Sequence, residues 1–253
     1  MSSLNPTGRF SSRVEDYILY RPTYPSGIVP LLARECGLDP ESTIADIGSG
    51  PGFLTKLFLD FGCAAIGVEP NKEMREAGDR ILAQYPRFAS RDGRAEQTGL
   101  AGASVDLITA GQAFHWFDAQ AARLEFRRIL RPPRWVALIW NERLVTGEFL
   151  AGYEDLMLRY AHDYEKADHR RIDAGRITDF FEHPDWRLAT FPNVQHFDWP
   201  GLRGRLDSSS YAPHRDDPAY EPLISELKSL FDAHQNTGRV DFLYETKLYY
   251  GRL

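Results

Sequence analysis

Along the first 143 residues, short apolar runs alternate with stretches in which apolar residues recur every three or four positions. The run Thr43 to Ile47 is short, apolar and β-branched, and with the apolar runs Ala64 to Val68, Val105 to Ala110 and Trp135 to Trp140 it predicts buried strands, with a further short strand near Phe88 to Ser90. Between them, Leu54, Leu57, Phe58 and Phe61, then Met74, Ala77, Ile81 and Leu82, then Ala122, Phe126, Ile129 and Leu130, fall on single helical faces. Gly62 closes the first of these helices, Asn71 and Asp118 stand as N-caps of the other two, and Pro132-Pro133 stops the third. Upstream, Val14, Tyr17 and Ile18 predict a helix over Ser12 to Tyr20. Val29, Leu32, Ala33 and Cys36 predict another, ending at Gly37. Strand and helix in repeated alternation predict an α/β chain with a doubly wound, mostly parallel sheet and right-handed crossovers.

After Leu144 the regularity loosens. Phe149, Leu150, Tyr153, Leu156, Met157 and Tyr160 make a helix, and Glu165 to Arg176 is a charged segment carrying His169, Arg170, Arg171 and Arg176. An insertion here leaves the carboxyl end of the fifth strand, so residues 144–186 are expected to form a helical cap beside the crevice. Residues 1–143 would supply an N-terminal lid and the first, strand–helix half of the domain, and residues 187–253 the remaining strands and helices of the same domain. In that last part Leu188 to Trp199 predicts a strand, Leu206 to Tyr211 a polar turn, and Leu223 to Phe231 a helix with Pro222 in its first turn. Val240, Phe242, Tyr244, Thr246, Leu248 and Tyr250 alternate with charged or polar neighbours, as in an antiparallel, edge-type strand.

Composition narrows the classes. An apolar fraction of 43% with 13% aromatics supports a sizeable core, and a formal charge of −6 argues against a general binder of nucleic acid or anionic membrane. Cys36 and Cys63 share no metal-ligand spacing, and no apolar run approaches the roughly twenty residues of a membrane span. A cytoplasmic protein without bound metal, nucleic acid or membrane is the expectation.

The chemistry concentrates on Asp46-Ile47-Gly48-Ser49-Gly50-Pro51-Gly52, a glycine turn between strand and helix whose backbone can bend sharply and approach a ligand closely. Glu69, with Pro70, closes the next strand about twenty residues on, where an acid accepts hydrogen bonds from ribose hydroxyls. Asp46, the GxGxG turn and Glu69 together resemble the class I S-adenosylmethionine-dependent methyltransferases. The resemblance implies that Gly48, Ser49 and Gly50 pack against the methionine part of S-adenosylmethionine, that Glu69 holds its ribose, and that Ala95 and Glu96 receive the adenine, Arg94 standing where many relatives carry Asp. Tyr20-Arg21-Pro22-Thr23-Tyr24-Pro25 reads by itself as a rigid turn. It is similar to the N-terminal segment of a small-molecule branch, the type 11 methyltransferases related to trans-aconitate methyltransferase, as is Gln112-Ala113-Phe114-His115-Trp116-Phe117-Asp118. That likeness implies Tyr20 and Arg21 near the cofactor carboxylate, Gln112 at the cofactor, and a small-molecule acceptor.

Methyl transfer from a sulfonium requires above all that the acceptor be aligned. A carboxylate acceptor needs no base, whereas a hydroxyl or ammonium does, and His115 is the candidate. Residue type leaves a structural role for His115 equally open. Trp116, Asn141, Arg143 and Tyr211 border the same crevice and are candidate acceptor ligands, the arginines orienting an anionic acceptor. Three rivals remain: a nicotinamide oxidoreductase, disfavoured because Leu54 occupies the last position of a GxGxxG fingerprint; an RNA or other nucleic-acid methyltransferase; and a cofactor-binding protein without catalysis.

Overall fold

The computed structural model describes residues 14–161, Tyr164, residues 174–209 and residues 211–253. The predicted first turn of the N-terminal helix, Ser210, and most of the charged segment with His169, Arg170 and Arg171 lie outside them. A seven-stranded sheet runs in the order β3-β2-β1-β4-β5-β7-β6. β1 (Thr43–Ile47), β2 (Ala64–Val68), β3 (Phe88–Arg91), β4 (Val105–Gly111) and β5 (Leu130–Arg143) are mutually parallel, while β7 (Val240–Arg252) runs antiparallel to both β5 and β6 (Arg187–Phe197).

The strand order reverses at β1, whose neighbours are β2 and β4. The carboxyl ends of β1 and β4 therefore open a crevice at the position where doubly wound sheets take their ligands. Ile47, Val68, Ile108, Val136 and Leu138 build one face of the core with Phe126 of α5 (Ala119–Ile129) and with Ile177 and Phe180 of α7 (Ala174–Phe181). Ile44, Ala65, Leu107, Ala137 and Ile139 build the other face with α2 (Ile28–Cys36) and with Leu54 and Phe58 of α3 (Phe53–Phe61). The caps act as the sequence implies: Asn71 accepts from Met74 N–H at the start of α4 (Lys72–Ile81), and Asp118 accepts from Gln120 and Ala121 at the start of α5. Each cap of this type stabilises by about 1 kcal/mol.

A third cluster covers the far end of the sheet. α6 (Glu148–Tyr160) and α9 (Tyr220–His234) pack together over Phe242 and Tyr244 of β7, with Leu202 and Leu206 of α8 (Trp199–Asp207). The N-terminal helix α1 (Val14–Tyr20) lies against α8.

Three features differ from the patterning. β5 begins at Leu130 and runs through Pro132-Pro133, because Leu130 pairs with Val105 before the register shifts to Leu107 opposite Trp135. β7 lies inside the sheet, its alternation reflecting the third cluster on one face, and β6 with Pro192 forms the edge, a residue that blunts strand pairing. Helix α8, where the patterning gives only the end of a strand and a polar turn, is started by Asp198, whose side chain accepts from Gly201 N–H, with proline in the first turn.

Candidate functional site

Twenty-two described residues line one cleft, from α1 and the segment after it, the glycine turn, the start of α3, the ends of β4 and β5, the short turn after β4, β7 and α8, together with Tyr164 and Tyr211. Gly48 and Gly50 have φ of 68° and 54°, a left-handed region costly for other residues. Gly48 N–H donates to Val68 O at 2.8 Å, which ties the turn to the end of β2. A Cβ on Gly48 would stand 2.6 Å from that of Ala113, whereas a Cβ on Gly50 would project into open space.

Glu69 braces this turn from below. Its carboxylate accepts from Gly50 N–H at 2.9 Å and from Asn71 N–H at 2.8 Å, one bond to each oxygen, so both oxygens keep capacity for a further donor. Burial raises its affinity for a proton despite these two amides.

Asp46 forms the buried floor. Thr55 and Thr109 hydroxyls donate to its two oxygens at 2.6 and 2.9 Å, yet burial outweighs them and pushes its pKa from 3.8 to about 6. The folded chain thus holds this proton more tightly than the unfolded chain, and stability falls as the pH rises from about 4 to about 6. At about 1.4 kcal/mol per pH unit the ionised form costs about 3 kcal/mol. Asp46→Asn, which cannot ionise, is expected to gain about 2–3 kcal/mol on the wild type between pH 4 and pH 7 in urea unfolding of the ligand-free chain. A difference that does not change with pH would show that the charge is not buried as described.

Gln112 adopts a φ of 54° at the end of β4 and donates through its side chain to Asn141 O at 3.0 Å. Such a conformation costs a non-glycine residue free energy and is concentrated at ligand sites. A short 3₁₀ turn, Phe114–Trp116, then sets His115 and Trp116 on the cleft wall with ring centroids 4.9 Å apart, while Phe114 is fully buried against Phe180. At the end of β5, Asn141 donates to Thr23 O at 3.2 Å and accepts from Asn193 and Thr246. Its amide thus fastens Thr23, beside Tyr24, to the sheet.

A further part of the lining is basic and phenolic. Arg143 pairs with Glu154, donates to the Tyr164 hydroxyl at 2.8 Å and lies 4.9 Å over the Tyr153 ring. Arg205 is 5% exposed and donates to Ser209 at 2.8 Å and to the Tyr244 hydroxyl at 3.2 Å. Arg21 donates to Ser208 O at 2.8 Å and stacks 5.3 Å from the Tyr17 ring. Among the described residues, neither Arg21 nor Arg205 is paired with a carboxylate. Burial disfavours ionisation of Tyr211, but Arg205, Arg21 and Arg143 outweigh it and hold this phenol below its ordinary range.

The cleft gathers Arg21, Asp46, Gly48, Ser49, Gly50, Gln112, His115, Trp116, Asn141, Arg143 and Tyr211 of the residues singled out in the sequence. The others stand apart from its lining. Tyr20 turns its ring onto Gly204 of α8, where a Cβ would stand 2.2 Å from it, and leaves the cleft face of α1 to Tyr17. Ala95 is buried in the core, and the Glu96 carboxylate accepts from Asp118 N–H at 2.9 Å. Glu69 and half-buried Pro70 lie behind the turn. Tyr17, Tyr24, Arg205 and Tyr244 are cleft residues that the sequence reading passed over. The signal for Arg205 lay in Asp198-Trp199-Pro200, a cap followed by a first-turn proline.

Relatives place this arrangement. A methyltransferase-domain family model matches residues 45–138. An uncharacterized methyltransferase from Schizosaccharomyces pombe is 36% identical over 248 residues, 95% of each chain. The chain belongs to the class I S-adenosylmethionine-dependent methyltransferases. A second methyltransferase-like protein of that yeast is 26% identical over 94% of this chain and 92% of its own. Among solved structures, a protein provisionally assigned as a type II methyltransferase from Anaeromyxobacter dehalogenans superposes with a TM-score of 0.68 at 21% identity, covering 92% of this chain and 98% of the other. A Haemonchus contortus phosphoethanolamine N-methyltransferase, solved with S-adenosylhomocysteine and phosphomonomethylethanolamine, shares the fold with a TM-score of 0.58 at 14% identity over 98% of this chain and 58% of its own.

The cofactor of this methyltransferase is S-adenosylmethionine, and the residues present suit it. The turn leaves open space beside Gly50, each Glu69 oxygen keeps capacity for a further donor, and Asp46 and Arg21 bring charges of opposite sign to the cleft. Among the described residues, no helix is long and apolar enough to cross a membrane.

Proposed function

We propose that this methyltransferase acts on a small anionic molecule and places the methyl group on an oxygen atom, of a carboxylate or of a hydroxyl. The observation that carries this reading is the basic wall: three guanidinium groups reach one cleft, Arg143 pairs with Glu154, and with Arg21 given to the cofactor carboxylate, Arg205 is left with no carboxylate among the described residues. A charge held away from water without a partner is unfavourable, and an anionic ligand relieves it.

When bound, S-adenosylmethionine supplies an electrophilic methyl group on a sulfonium. Gly48, Ser49 and Gly50 would seat its methionine part, Arg21 its carboxylate and Asp46 its ammonium end. Glu69 with Pro70 would take the ribose, Ala95 and Glu96 the adenine through their backbone, and Gln112 would close the cofactor side. Tyr20 would act through α8, as a brace for the segment that carries Arg21. Trp116, Asn141, Arg143 and Tyr211 would shape the acceptor side, with α6, whose Glu154 pairs with Arg143, beside it. Positioning supplies most of what such a transfer needs.

His115 would accept the proton of a hydroxyl acceptor and has no such task for a carboxylate. Labelled S-adenosylmethionine incubated with a pool of small acids and alcohols and, in parallel, with total RNA is expected to label the small-molecule fraction. Label confined to RNA would contradict the reading. With the acceptor in hand, His115→Gln is expected to lower kcat by about 10²-fold or more if the accepting group is a hydroxyl. Turnover unchanged across pH would assign the accepting oxygen to a carboxylate.

A further inference from the structure

Arg205 has no part in the cofactor assignments above, yet it is the most deeply buried of the three cleft arginines. It projects from α8, and its place is fixed on several sides. Tyr244 of β7 receives its Nε–H and in turn donates to Gln195 of β6 at 2.9 Å. Gln195 donates to Tyr20 O at 3.1 Å, and Ser209 receives the Nη1–H at 2.8 Å. α8 itself is held against α1, because Gly204 lets the Tyr20 ring approach its backbone. A guanidinium oriented by this many contacts and met by no carboxylate among the described residues is arranged for a planar anion arriving from the cleft.

We propose that Arg205 selects the acceptor by its charge, holding a carboxylate that is recognised but not methylated. The reason lies in what happens to charge during the reaction. In transfer to oxygen the accepting carboxylate loses its negative charge, or the accepting hydroxyl its proton. An arginine clamped on the accepting carboxylate would bind it best before the reaction and lose that attraction as the new bond forms, which raises the barrier. The same arginine clamped on a carboxylate that stays ionised binds the ground and transition states alike and orients the rest of the molecule. The Tyr211 hydroxyl, whose proton affinity the arginines depress, lines the same cleft as a further donor to such an anion. The acceptor class is therefore a small acid with a second nucleophilic oxygen, whether hydroxyl or further carboxylate.

This rests on the small-molecule reading above, and the test separates the two. Calorimetric titration of the full chain saturated with S-adenosylhomocysteine would compare pentanoate, glutarate and pentanamide as probes. The wild type is expected to bind the better of the two acids at least tenfold more tightly than the amide. Arg205→Gln is expected to abolish that preference, and Arg205→Lys to keep part of it. Unfolding curves and S-adenosylhomocysteine affinity of each variant report separately on folding and on the cofactor site. Labelled products of the small-acid pool are expected to remain on an anion exchanger, because each keeps a free carboxylate. An acid preference that survives in Arg205→Gln, no such preference in the wild type, or labelled products that are predominantly neutral methyl esters would overturn the proposal. The cofactor assignment would stand as long as S-adenosylhomocysteine still binds.

Discussion

Replacing Gly48 by valine is expected to remove cofactor binding and to lower the melting temperature together. The residue holds a φ of 68°, which costs an L-residue about 1–2 kcal/mol and is a true outlier for a β-branched one. Its Cβ would stand 2.6 Å from the Ala113 Cβ, so either the turn or the start of the 3₁₀ segment bearing His115 must move. Overpacking of this kind adds about 1–3 kcal/mol. Together these give a loss of roughly 2–5 kcal/mol, or about 5–15 °C in Tm for a chain of this size. The turn is also hydrogen-bonded to Val68 O, so its displacement carries Gly50 away from the Glu69 carboxylate. S-adenosylhomocysteine affinity should fall by at least about 100-fold, equivalent to about 2.7 kcal/mol. Calorimetry and a thermal melt on the same preparation check both effects. An intact affinity in the folded variant would mean that the turn does not carry the cofactor.

Glu69→Ala is expected to cost a similar factor in affinity with a loss of stability of about 1–3 kcal/mol. The side chain satisfies two backbone amides: that of Gly50, a cleft residue where water can replace a lost acceptor, and that of buried Asn71, whose orphaned N–H costs about 1–3 kcal/mol. What water cannot replace is a fixed carboxylate for two ribose hydroxyls. Hydrogen bonds to a charged group contribute about 1.5–3 kcal/mol, hence the expected loss of about 100-fold. Glu69→Gln keeps one acceptor oxygen but must turn an NH₂ toward one of the two amides, so its affinity should fall between the two. Equal affinities for wild type and Glu69→Ala would remove the ribose role.

The strand–glycine turn–helix part of the sheet was legible because its signals are local. Strand, glycine turn, helix and a following acid lie within thirty residues, and positive φ at Gly48 and Gly50 is what a turn that must approach a ligand requires. Asn71 and Asp118 announced their helices by the same local chemistry. The basic wall was only half legible, because it is assembled from parts distant in sequence: Arg21 after α1, Arg143 on β5, Arg205 on α8 and Tyr244 on β7. Helix α8 carries glycine at 201 and 204, residues that weaken helix patterning, and its glycine at 204 exists to admit Tyr20. The same contact explains why Tyr20, first in the Tyr-Arg-Pro-x-Tyr-Pro string, points into the third cluster while Arg21 points into the cleft. Alternation along β7 could not distinguish an edge strand from an inner one, since both present one face to a core and differ only in whether a further strand follows.

The cleft's capacity for an adenosyl sulfonium is the claim on which the acceptor chemistry depends, and titration of the full-length chain with S-adenosylmethionine beside an oxidised nicotinamide dinucleotide tests it directly. Saturable heat at one molecule per chain with the sulfonium, and none with the dinucleotide at the same concentrations, is the predicted result. Saturation by the dinucleotide with no heat from the sulfonium would contradict the account.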